Sequence, residues 1–142
     1  MKTTFTGRID MEVAPPGRLR EKGISPEEKL LLCYNSAVSK KALDPVVFDV
    51  RDVSDVADAF IVVSGSSGRQ VRAIVDSVED ALRASGEKSY HIEGYEKSWW
   101  VLVDAGDVVI HVFTEEAREY YDLETHWSDA KKLEMNGLSS QI

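Results

Sequence analysis

Residues 99–127 read WWVLVDAGDVVIHVFTEEAREYYDLETHW, and this stretch decides the fold. Two β-branched and aromatic runs, residues 99–103 and 108–113, flank Asp104-Ala105-Gly106-Asp107. Gly beside Asp in so short a gap predicts a β-hairpin. A helix is expected from about Thr114, with Glu115 and Glu116 in the first turn, where the helix dipole favours negative charge. A two-residue loop at Ala105-Gly106 would set Trp100 opposite His111 and Leu102 opposite Val109, all on one face. Trp99, Val101, Val103, Val108, Ile110 and Val112 then take the other face, which reads as core. The first face mixes Trp, His and aliphatic residues. It reads either as a recognition face or as a face that a helix covers, since indole and imidazole can both be satisfied inside a fold.

The rest of the composition bounds the class. A chain of 142 residues is one domain, and it can bury about 70% of its unfolded surface without a metal or disulfide. The single cysteine, Cys33, excludes an internal disulfide framework and suits a reducing cytosol. No run approaches the ~20 apolar residues of a membrane helix. The first residues lack the apolar stretch of a signal peptide, and Asp10, Glu12 and Glu21 argue against an organelle transit peptide. The expected location is therefore cytoplasmic, with no membrane partner. Net charge is −8, from 17 basic and 25 acidic residues. Nucleic-acid affinity rests on neutralising phosphates with Lys and Arg, so direct nucleic-acid recognition is not expected. A basic protein partner fits better, because complementary charge steers encounter.

Residues 1–24 have no hydrophobic period and read as a flexible leader. Ser25-Pro26-Glu27-Glu28 starts a helix: Ser25 caps, Pro26 suits the first position and Glu28 completes a capping box. Leu30, Leu31, Tyr34, Ala37 and Val38 give it one apolar face, and it should end near Leu43, before Asp44-Pro45. Residues 46–50 and 59–64 read as strands. Gly65-Ser66-Ser67-Gly68 turns into a helix with Val71, Ile74, Val75, Val78, Ala81 and Leu82 on one face, closed by Ser85-Gly86. Residues 90–92 make a third strand. Past Trp127 the apolar period fades, and residues 134–142 form a tail. The order is α-β-β-α-β-β-β-α. The strand-helix-strand succession over residues 59–92 allows a crossover and a parallel pair. The expected fold is α/β, a mixed sheet of about five strands packed with helices, with residues 25–133 as the domain.

Several constellations invite chemistry. The 65–68 turn lies between strand and helix, where backbone amides can cradle a phosphate. It lacks the Lys-Ser/Thr of a Walker loop and the G-x-G-x-x-G spacing, and Gly and Ser also serve there as turn and cap. The same turn suggests a nucleotidyltransferase opening, but the two strand carboxylates that would hold Mg²⁺ are missing; Asp104 and Asp107 sit at a hairpin tip. Asp49, Asp52, Asp55 and Asp58 recur every third residue, which turn and cap chemistry explains. His91, His111 and His126 have no zinc-ligand spacing. No G-x-S-x-G elbow surrounds Ser64, Ser66 or Ser67. Cys33 reads as a small buried hydrophobe. Catalytic, cofactor and metal sites are thus not assigned.

The succession AFIVVSGSSGRQVRAIVDSVED, HIEG, WVLVDAGDVVIHVF and REYYDLETHWSDA resembles the ribosomal silencing factor family, also called the Iojap family. The similarity runs from about Ser25 to about Leu133. The resemblance implies a non-enzymatic factor with a nucleotidyltransferase-like fold that lacks the catalytic acids. It implies binding to the large ribosomal subunit through ribosomal protein L-fourteen, steric blocking of small-subunit association and repression of translation. A role in large-subunit biogenesis accompanies it. The family's prominent positions map onto Gly65, Ser67, Arg69, Gln70, Glu93, Gly94, Trp100, Asp104, Gly106, Asp107, His111, Phe113, Arg118, Tyr121, Leu123, Trp127 and Asp129. Of these, Trp100, His111, Tyr121, Trp127 and Asp129 are the expected partner contacts.

The chain departs from the family pattern at four places. Ala59 and Ala105 stand where an aromatic is frequent, Thr114 where His is frequent, and His126 where an aliphatic is frequent. Ala105 bears on any contact made by the hairpin tip. Two other function classes stay open on sequence: a nucleotidyl- or phosphoryl-transfer enzyme using the 65–68 turn, and a dimerisation module. A homodimer is compatible with the sequence.

Overall fold

The computed structural model of the chain describes residues 24–135. The expected leader lies outside the described residues except for Ile24, and the expected tail except for Glu134 and Met135. Helix α1 (Pro26–Ser39) begins as the sequence predicts. The Glu28 amide donates to Ser25 Oγ at 3.1 Å, and the Ser25 amide donates back to Glu28 Oε1 at 2.9 Å. Such a cap stabilises a helix by about 1 kcal/mol. The helix ends at Ser39, not near Leu43. Gln70 Nε2 donates to the carbonyls of Lys40 and Lys41, which a continuing helix would have used. Lys41 and Asp44 take φ +62° and +48°, outside the right-handed helical region, and the β1–β2 register shifts between Leu43 and Val46.

Strand β1 (Leu43–Asp49) and β2 (Ala59–Gly65) follow, then α2 (Gly68–Ala84) and β3 (His91–Glu93). The hairpin is β4 (Trp100–Asp104) with β5 (Val108–Thr114), succeeded by α3 (Glu115–Tyr121). Two further elements are absent from the sequence reading: the single-turn α4 (Leu123–His126) and the strand β6 (Lys131–Leu133). In β6 only Leu133 is buried, so Lys131 and Lys132 hide the pattern. The sheet has six strands in the order β3-β4-β5-β2-β1-β6. Among the described residues, only β2 and β5 pair in parallel.

That parallel pair corrects the crossover expected over residues 59–92. Strand β3 runs antiparallel to β4 at the sheet edge, and β5 is the parallel partner of β2. The reason is burial. His91 and Glu93 are exposed, whereas both faces of β5 are buried, as a central strand requires.

The hairpin register is also corrected. Asp104 faces Val109, Leu102 faces His111 and Trp100 faces Phe113. The Ala105 amide donates to the Val108 carbonyl at 2.9 Å, so the loop is Gly106-Asp107. Gly106 takes φ +86°, the conformation that the first loop residue of a type II′ turn demands. The slip leaves every side chain on its expected face, because opposing partners moved by two. Trp99 is the exception: it precedes β4 and is 37% exposed, not core.

Helices α1 and α2 cover one face of the sheet. Val101, Val103, Val108, Ile110 and Val112 pack there with Leu30, Leu31, Cys33, Val71, Ile74, Val75, Val78 and Leu82, and Leu133 and Met135 close the far side. The other face carries a smaller cluster of Phe48, Val50, Phe60, Val62, Val109, Phe113 and Ala117. Among the described residues, the short α3 and α4 lie over it, and Trp100, Leu102, Leu123 and Trp127 are left partly buried at its margin.

Candidate functional site

The lightly covered face holds the aromatic residues singled out in the sequence. Alternation on β4 puts Trp100 and Leu102 on this face, and alternation on β5 adds Val109, His111 and Phe113. Trp100 stacks on Phe113 with centroids 5.0 Å apart. Thr114 Oγ1 accepts from the Ala117 amide and caps α3. That helix returns Tyr121 to 4.7 Å from Trp100. Phe60 joins Trp127 to His111, edge-on to Trp127 at 4.9 Å and to His111 at 5.0 Å. Tyr120 stands edge-on against Tyr121 and is 75% exposed. Asp129 is exposed two residues past Trp127, with no hydrogen bond or ion pair among the described residues. The fold thus brings together Trp100, His111 and Tyr121, adds Trp127 through Phe60, and leaves Asp129 apart.

His111 sits at the centre and is 5% exposed. The Trp100 indole N–H donates to His111 Nδ1 at 3.2 Å. Indole can only donate, so Nδ1 is the acceptor and the imidazole proton resides on Nε2. Nε2 is buried with no hydrogen-bond partner among the described residues. Burial pushes the imidazole down to about 4, so the ring is neutral at physiological pH.

Arg118 fastens the cover. Its Nε and Nη2 bind Glu124 Oε1 and Oε2 at 3.0 and 3.1 Å, and Nη1 donates to Ser64 Oγ at 2.9 Å and to the Leu43 carbonyl. One guanidinium thereby ties α3 and α4 to the ends of β1 and β2. Asp122 makes the sharp corner between the two helices at φ +49°. Phe60 and Arg118 are the members that sequence reasoning missed as parts of the site. The alternation of Phe60 and Val62 carried the signal for the first; the family resemblance marks Arg118, but nothing in its spacing shows what it ties together.

The other constellations resolve locally. In the 65–68 turn, Ser67 Oγ accepts from the Gln70 amide, while the Ser66 amide and hydroxyl both donate to Gln70 Oε1. Of the turn's donors, the Ser66 amide and hydroxyl are occupied by its own glutamine. Asp49 accepts both nitrogens of the Arg51 fork, at 2.9 and 2.7 Å. His91 pairs with Glu93 on β3, and His126 lies on α4, away from both other histidines in sequence and element. Among the described residues, no three His, Cys, Asp or Glu are grouped to hold a metal ion. Burial pushes the Cys33 thiol up to about 12, with Lys29 opposing and Glu87 adding, so it remains a thiol. What the face offers chemically is π surface, suited to apolar and cationic side chains.

A family model described as ribosomal silencing factor during starvation matches residues 24–141. The chain belongs to the ribosomal silencing factor family. Its resemblance to that family, drawn from the separated motifs, is borne out. Among individual members, the ribosomal silencing factor of Halalkalibacterium halodurans is 39% identical over 117 residues, covering 82% of this chain and all 100% of that one. A crystal structure of a Chromobacterium violaceum protein superposes with a TM-score of 0.72 at 36% identity, covering 74% of this chain and 88% of the other. More distantly, a mouse protein named for mitochondrial assembly of the ribosomal large subunit is 33% identical over 92 residues, which is 63% of this chain and 40% of the mouse protein. The mixed α/β fold is therefore that of solved silencing-factor relatives. Among the described residues, no helix of this family member is long and apolar enough to cross a membrane.

Proposed function

We propose that this silencing-factor family member docks on the large ribosomal subunit through ribosomal protein L-fourteen, using the aromatic face, and blocks small-subunit joining by bulk. One observation carries the reading: the sheet face where the neutral His111 sits against Trp100, Phe60 and Phe113, with Tyr121 against Trp100 and Trp127 against Phe60. Aromatic anchors dominate protein interfaces, and their truncation typically costs ~2 kcal/mol or more. Their π faces attract the Lys and Arg side chains of a basic partner. The −8 charge of the chain favours the same kind of partner over bare RNA. The name of the mouse relative, assembly of the ribosomal large subunit, points to the same particle. Occupancy needs affinity and bulk and no catalytic group, and a cytoplasmic location follows from the ribosomal target.

The test is co-sedimentation with large subunits, followed by addition of small subunits. The protein is expected to travel with large subunits and to lower the joined-ribosome peak. Trp100→Ala and Tyr121→Ala are expected to weaken binding to L-fourteen and to the subunit by tenfold or more. Tyr121 is 38% exposed, so its truncation keeps the test valid should Trp100→Ala fail to fold. Full binding by a folded Tyr121→Ala protein removes this face from the contact.

A further inference from the structure

Folding sorts the cations of this acidic chain. Lys29 pairs with Glu87, Arg51 with Asp49, Arg83 with Glu79 and Asp80, and Arg118 with Glu124. Lys40, Lys41, Arg69, Arg72 and Lys97 make no ion pair among the described residues. These five come from three separate stretches and meet around the first turn of α2. Gln70 Nε2 lies 3.1 and 3.0 Å from the carbonyls of Lys40 and Lys41. Arg72 Nη1 donates to Ser98 Oγ at 2.7 Å, which brings Lys97 to the opposite flank. Arg69 stands exposed between the two sides, as do Lys40, Lys41 and Lys97.

We infer that this corner is a contact for the phosphodiester backbone of RNA, made when the protein sits on the large subunit; it rests on the docking proposed above. The whole-chain charge argued against nucleic acid. Charges act, however, only over about 8 Å at physiological salt, so a phosphate at the corner feels the local cations most strongly. Cations spread across α1's end, α2 and the approach to β4 fit a run of phosphates better than one anion. Gln70 has already taken the Ser66 donors, so the contact rests on side-chain charge. The approach has a direction. Past Gly65 the surface turns acidic in a hollow of about 440 Å³ lined by Asp44, Glu115, Glu119, Asp122 and Glu124 beside Ser64 and Arg118, which repels phosphate. RNA therefore meets the α1–α2 side. Trp99, 37% exposed, follows Ser98 in the approach to β4.

The experiment compares the intact chain with a Lys40→Gln, Lys41→Gln, Arg69→Gln triple variant. A Lys88→Gln, Lys131→Gln, Lys132→Gln triple serves as a charge-matched control. Large-subunit affinity is measured across a salt series, and affinity for isolated L-fourteen is measured in parallel. The corner variant is expected to lose tenfold or more on the subunit near physiological salt. Its slope of log affinity against log salt should fall by about 2–3, one per released counterion contact. Binding to L-fourteen and thermal unfolding should be unchanged, and the control should match the parent. A photo-crosslinker replacing Arg69 should join to RNA. Equal affinity and slope for corner variant and parent overturn the inference while leaving the docking proposal standing. Crosslinks to protein alone overturn it in favour of an acidic protein segment. If the parent itself fails to bind subunits, both proposals fall together.

Discussion

His111 shows how one buried residue couples the aromatic face to pH. The unfolded chain takes up a proton near the ordinary imidazole value of 6.5, whereas the fold refuses it until about 4. Between those values the unfolded state binds more protons, so stability rises with pH there. The contribution is complete above pH 6.5 and drains as pH falls toward 4. Linkage puts the loss from pH 7 to pH 5 at about 2 kcal/mol. Protonation would also place a proton on Nδ1 and abolish the bond from the Trp100 indole. Denaturant unfolding at the two pH values should show this step in the parent chain. His111→Phe should flatten it, at the expense of an unaccepted indole N–H that lowers stability at pH 7 by about 1–3 kcal/mol. An unchanged pH step in His111→Phe would assign the loss to carboxylates elsewhere.

At the scale of elements, two glycines with the same backbone sign separate strain from collision. Gly106 at φ +86° has open space where a Cβ would stand, so Gly106→Ala should cost only the strain of the positive φ, roughly 1–3 kcal/mol. Gly94 at φ +84° would set a Cβ 2.4 Å from the Trp100 carbonyl oxygen. Gly94→Ala must therefore displace the start of β4 as well. It is expected to cost clearly more, with altered Trp100 fluorescence that Gly106→Ala does not show. Equal losses would mean that the residues 94–100 loop is free to shift. The same hairpins show what was legible in the sequence. Gly beside Asp, alternation and caps fixed the hairpin, both long helices and the faces of β4 and β5. Pairing over distance was not legible: β5 lies against β2 across more than forty residues, and local periodicity does not say which strand becomes central. Short elements failed for a related reason. Strand β6 offers one buried side chain in three, and α4 offers none. In the candidate site, the aromatics announced themselves by type and parity. The Arg118 clamp did not, since its partners come from β1, β2 and α4 and are brought near only by the fold.

For the whole molecule, the sheet divides the protein into unequal halves. The α1–α2 side buries a continuous aliphatic core, whereas the α3–α4 side rests on a smaller cluster and the Arg118 clamp. Regions with few buried apolar contacts open first, so amide exchange should protect α1, α2 and the central strands most and residues 115–127 least. Arg118→Ala removes four hydrogen bonds at once and leaves Glu124 without its fork partner. The loss should be borne locally. Exchange over residues 115–127 is expected to rise by tenfold or more, with α2 changing little. Tyr121 and Trp127 ride on these elements, so the binding face should loosen with them and affinity for L-fourteen should fall, although neither aromatic has been altered. Arg118→Lys keeps the charge and loses the planar fork, so it should rescue neither the protection nor the affinity fully. Uniform acceleration of exchange across both halves would show that α3 and α4 unfold only with the whole domain. The aromatic face would then be a rigid part of the core and not a separately held cover.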